Sequence, residues 1–80
     1  MKIDIDLSEK LDQSKMIQLT HKPDSVAYKY AMSYQNDYNL LQKCIDRLES
    51  GNLEASAVHE LAWLIPELTK VLNTYNFHKS

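Results

Sequence analysis

One glycine, two prolines and one cysteine are spread over 80 residues, and each scarcity removes a class of protein. A single cysteine cannot form an internal disulfide, so the chain is not a small secreted scaffold held by bridges. One glycine cannot build the Gly-rich loop that cradles a phosphate. No window approaches the ~18 apolar residues of a membrane span, and the first residues show no basic-then-apolar leader. Neither sign of charge dominates. Nine Lys+Arg stand against eleven Asp+Glu, and a net −2 argues against nucleic acid or an anionic membrane as the partner. One free thiol and no leader fit a cytoplasmic protein. What remains is a single domain over residues 1–80, 44% apolar. Its core must offset ~1.5 kcal/mol of ordering entropy per residue, so an isolated monomer is expected to be marginal.

The chain reads as a strand-rich lead-in over residues 1–22 and a helical remainder. Ile3, Ile5 and Leu7 alternate with Lys2, Asp4 and Asp6, the period of a half-buried strand. Residues 8–14 suit a connector or one helical turn with Ser8 as N-cap. Alternation resumes with Ile17 and Leu19 against Met16, Gln18 and Thr20, read as a second strand. Pro23 ends that segment, and Asp24-Ser25 opens a helix over residues 24–50. There the spacing changes. Ala27, Ala31, Tyr34, Tyr38, Leu41, Ile45 and Leu48 alternate by four and three, two facing heptad positions held to the helix end. Gly51 stops it as a left-handed terminal residue. A second helix, residues 53–75, carries Ala57, Leu61, Leu64, Leu68, Val71 and Tyr75 at the same spacing, with a kink expected near Pro66. Residues 76–80 are expected to fray. The fold class expected is α+β, mostly α: a short N-terminal β-hairpin followed by a long antiparallel helical hairpin.

Each helix is apolar over more than one seam. Val26, Tyr30 and Cys44 flank the first, and Val58, Ala62, Ile65 and Leu72 flank the second. A two-helix hairpin buries one seam per helix and leaves the flanks. Either the lead-in folds back over them or a second subunit does, and a homodimer closed as a four-helix arrangement is the favoured version. The core or dimer seam is then Tyr30, Tyr34, Tyr38, Leu41, Ile45, Leu48, Leu61, Leu64, Leu68 and Val71. Large side chains also stand on polar faces. Tyr28 and Met32 fall opposite the first seam, and Trp63 falls opposite the second, beside His59 and Lys70. Exposed Trp and Tyr are enriched at protein-binding sites, so these five form the candidate binding surface, unless the lead-in packs there instead. Asp37 lands within the apolar face, where it either reaches solvent or fixes register through a Tyr hydroxyl.

Catalysis finds no support. His59-Glu60 begins a zinc-protease motif, but Trp63 stands where the second histidine is needed. His21, His59 and His78 have no metal-ligand spacing, and Cys44 on the apolar flank reads as a small hydrophobe. Asp4 and Asp6 read as solvated carboxylates on a strand. No cofactor, metal or catalytic residue is therefore expected. A strand followed by helices also has the order of a ribbon-helix-helix DNA binder, but Asp4 and Asp6 on the reading face repel phosphates. The function expected is a non-enzymatic inhibitor or regulator, of the kind phages and mobile elements encode, that binds another protein.

Tyr34, Tyr38, Leu41, Cys44 and Ile45, followed by Leu48-Glu49-Ser50-Gly51-Asn52-Leu53, resemble the helical hairpin of exodeoxyribonuclease VII small subunits. That likeness implies a helix, a glycine stop and a second helix in a non-catalytic accessory subunit of a larger enzyme. The second helix departs from the family pattern at Trp63 and Pro66, and the strand-like lead-in has no counterpart in it. No functional residue carries over.

Overall fold

The computed structural model describes residues 5–77. Its elements are three helices, α1 (Ile5–Thr20), α2 (Val26–Ser50) and α3 (Ala55–Thr74), in a bundle-like all-α fold with no strand among the described residues. The β-hairpin expected at the N-terminus is therefore wrong. Its first strand falls partly on residues 1–4, outside those described, and Ile5 to Leu7 open α1 instead. The second strand, around Ile17 and Leu19, is the last turn of the same helix.

The reason lies in which residues face inward. Leu7, Leu11, Ser14 and Gln18 follow one another by four, three and four, and they form the inner face of α1. Two of these four are polar, so hydropathy hides the helical period. The isoleucine and leucine that completed the alternation point away from the core: Ile5 is 72% exposed and Leu19 is 82% exposed. No glycine or proline interrupts residues 5–20, and Glu, Lys, Leu, Gln and Met are good helix formers. Ser8 does not cap a connector. It lies in the first turn of α1, its hydroxyl 3.2 Å from that of Tyr38.

Ser14 is fully buried, and its hydroxyl donates to the Ala31 carbonyl at 2.5 Å. Gln18 Nε2 donates to Ser14 Oγ at 3.2 Å and to Gln35 Oε1 at 2.6 Å, which completes a short polar chain between the helices. Ser14 opposite Ala31 lets the two backbones approach closely. Tyr34 crosses the same interface and donates to the Leu7 carbonyl at 2.7 Å. Burial, with a smaller contribution from neighbouring Tyr38, pushes the Tyr34 phenol well above its ordinary range. It stays a neutral donor.

α2 starts where Ser25 Oγ accepts from the Tyr28 amide at 3.2 Å, an N-cap following Pro23. It ends at Gly51, whose φ of 73° is left-handed. A Cβ there would meet no atom within 4 Å, so the backbone angle alone favours glycine. α3 returns antiparallel and runs through Pro66 without interruption. Its buried stripe is Leu61, Ile65, Leu68 and Leu72, rotated from the one expected: Ile65 and Leu72 are buried and Val71 is exposed. Tyr34, Leu41, Ile45 and Leu68 are core, Tyr38, Leu48, Leu61 and Leu64 pack half-buried against it, and Tyr30 is partly exposed.

Asn76 and Phe77 run on past the end of α3, while residues 78–80 lie outside those described. Phe77 is buried, its ring centroid 5.3 Å from Tyr34 and 5.4 Å from Tyr30. Tyr75 joins this cluster, 5.0 Å from Tyr30 and 5.1 Å from Tyr34. The Asn76 amide donates to the Tyr30 hydroxyl at 2.9 Å. Asp37 takes the register role, accepting from the Tyr75 hydroxyl at 2.9 Å. Lys10 Nζ donates to the Tyr75 carbonyl at 2.8 Å and the Asn73 carbonyl at 3.4 Å, a cation where a helix exposes its last acceptors.

Candidate functional site

Two surfaces remain once the core is assigned. The first is the outer face of α3, where Trp63 is 67% exposed between His59 and Lys70. The inward stripe of α3 sits on the opposite side of the helix, so Trp63 contributes nothing to the core. A large ring held in water forgoes its burial free energy, which is on the order of 2–3 kcal/mol for an aromatic side chain.

Tyr28 and Met32 do not share this face. They lie half-buried in the first two turns of α2, on the side toward α1, while His59 and Trp63 occupy the opposite end of the hairpin. The lead-in does pack against α2, but as a helix. The five residues expected as one binding surface thus divide into two groups, and only His59, Trp63 and Lys70 stay together in the open.

The second surface is a trough between α2 and α3. It is an apolar groove of about 620 Å³, with Leu48, Ile65, Ala62 and Pro66 along its apolar part and Thr69, Lys70 and Asn73 toward one end. Its position follows from the length of α1. Ser14 meets Ala31, and Ser8 meets Tyr38, so α1 lies along the first half of α2 and starts beside Tyr38. Asp6, Glu9 and Lys10 border Asn73 at that point. Beyond it the α2–α3 hairpin continues for ~18–22 Å, and among the described residues none of α1 lies over it. Pro66 also lacks an amide hydrogen, which frees the Ala62 carbonyl in the same groove.

The sequence placed Ala62 and Ile65 on an apolar flank, but the trough depends on where α1 begins, and α1 was read as strands. The outer face of α1 carries a 4-3 spacing of its own in Ile5, Glu9, Asp12, Met16 and Leu19.

Among the described residues no group of His, Cys, Asp and Glu is placed to hold a metal ion. Cys44 is a buried free thiol. No buried side-chain donor or acceptor among them lacks a partner. No described helix is long and apolar enough to cross a membrane. Comparisons of the chain with family models, curated proteins and solved structures find no match in any of the three.

Proposed function

We propose that the chain is a non-enzymatic protein-interaction module, an inhibitor or regulator in kind, that binds another protein through the outer face of α3. The exposed Trp63 carries this reading: it stands with His59 and Lys70 on a regular helix, away from the core. Tryptophan is among the residues most enriched at the centre of protein interfaces, where the ring gains the burial it lacks in the free chain. A rigid helix also presents the ring at little cost in ordering entropy.

The test uses Trp63 as both anchor and reporter, since it is the sole tryptophan. In the free protein its fluorescence should be close to that of a water-exposed indole, and it should shift to the blue when the partner binds. A protein retained from host lysate by the native chain should be lost with Trp63→Ala, at a cost of about 2 kcal/mol or more in binding. The far-UV helix signal should not change. Melting of Trp63→Ala, or retention of the same proteins by both forms, overturns the reading. Capture of one much larger chain, in constant ratio, would instead point to an accessory subunit of an enzyme.

A further inference from the structure

We propose, resting on the partner-binding reading above, that the outer face of α3 holds an arginine side chain of the partner protein, stacked on Trp63 between two carboxylates. Glu60, Trp63, Leu64 and Glu67 are related by spacings of three, four and seven within α3, so they form one diamond on the helix surface. Trp63 and Leu64 are its waist. Glu60 and Glu67 are its tips, ~10.5 Å apart along the helix axis.

Each part of the diamond is left incomplete in the free chain. Trp63 lies in water, and Leu64 is only partly buried. Both glutamates are exposed, and among the described residues neither makes an ion pair or a hydrogen bond. A hollow of about 440 Å³ opens beside the ring, lined by His59, Glu60, Trp63 and Leu64. No lysine or arginine of the chain lines it. Lys70 lies one turn past Glu67 and bounds the site at that end. The result is an apolar floor between two free carboxylates.

That combination selects its occupant. An anion is repelled by both tips of the diamond. An uncharged apolar side chain covers Trp63 and Leu64 but desolvates the carboxylates without pairing them, which costs free energy. A cation serves both parts, because the face of an indole ring attracts positive charge and the glutamates supply acceptors. Between the two cationic side chains the geometry favours arginine. Its guanidinium is planar and stacks flat on the indole, and its forked donors reach acceptors on two sides at once. Its aliphatic stem lies over Leu64. A lysine ammonium is a compact point charge and holds its water more strongly.

The probe is N-acetyl-arginine amide, titrated into the full chain. Trp63 fluorescence and the backbone amide chemical shifts should respond saturably at millimolar probe, with the shifts confined to residues 59–67. The citrulline counterpart keeps the shape and loses the charge, and it should bind at least fivefold more weakly. The lysine counterpart should also be at least fivefold weaker. Glu60→Gln combined with Glu67→Gln should lower the arginine affinity at least fivefold and leave the far-UV spectrum unchanged, since both positions are exposed. An absent response, an equal response to citrulline, a preference for lysine, or shifts spread over the rest of the chain each overturn the proposal. These titrations contain no partner protein. They can therefore fail while Trp63→Ala still abolishes partner capture, and the face would then bind its partner by other chemistry.

Discussion

Tyr34 is one hydroxyl placed where it must stay protonated. It donates to the Leu7 carbonyl from the middle of the core, and burial holds its proton more tightly than the ordinary value of 10.0. Tyr75 is shifted upward the same way, by burial first; the hydrogen bond with the Ser33 hydroxyl lowers it and the Asp37 carboxylate raises it further. Such a phenol binds its proton more tightly folded than unfolded. Above pH 10.0 the unfolded chain has released a proton that the native chain keeps. Native stability should therefore be insensitive to these groups below that pH and should decline progressively above it. Urea titrations at successive pH values would show the decline, and Tyr34→Phe should make it shallower. At neutral pH the same variant should lose about 1 kcal/mol, one net hydrogen bond, because the Leu7 carbonyl keeps its acceptor role within α1. A steep alkaline transition unchanged in Tyr34→Phe would assign the effect elsewhere.

At the scale of an element, α1 explains what the sequence discloses and what it conceals. In α2, Ala31, Tyr34, Leu41 and Ile45 face the core, and apolar side chains mark the period directly. The Gly51 stop is equally plain, since only one residue in the chain has the backbone freedom. In α1 the inward positions are shared by Leu7, Leu11, Ser14 and Gln18, while Ile5, Met16 and Leu19 face outward. Hydropathy then favours the wrong face, and a chance alternation of apolar residues looks like a strand. The polar inner face is decided by Ala31 and Gln35 of α2, tertiary partners that no local window contains. Ser14→Leu tests this account, since hydropathy would call it an improvement. With Ser14 fully buried against the Ala31 backbone there is no room for the branch. The substitution should cost about 1–3 kcal/mol through overpacking, measured as a lowered denaturation midpoint. A gain in stability would mean that α1 stands further from α2 than described here.

Over the whole molecule the same dependence sets what was legible of the candidate site. Trp63 was readable because a large ring on a polar helical face needs only the helix to be known. Tyr28 and Met32 are half-buried in the first turns of α2, which the periodicity of that helix alone does not show. The trough is not legible for a different reason: it lies beyond the start of α1, and a pair of strands in place of that helix leaves no such edge. The closing residues show a further non-local effect. Tyr75 and Phe77 lie past the end of α3 yet complete the aromatic cluster on Tyr30 and Tyr34. Phe77→Ala should cost about 3–5 kcal/mol, the range for a buried phenylalanine, and should raise proteolytic cleavage beyond Thr74. A loss under 1 kcal/mol would show that the ring is dispensable.

Lys10 reaches the carbonyls of Asn73 and Tyr75, and Phe77 fills the pocket made by Tyr30 and Tyr34. During synthesis these acceptors and this ring leave the ribosome after α1 and α2 have emerged. The growing chain therefore holds an apolar face of Tyr34, Leu41 and Ile45 uncovered until residues 61–77 have followed. A product cut short before Tyr75 keeps that face in water. Closure of the core thus waits on residues 75–77, and copies that stop short of them carry the exposed surface that chaperones and proteases select.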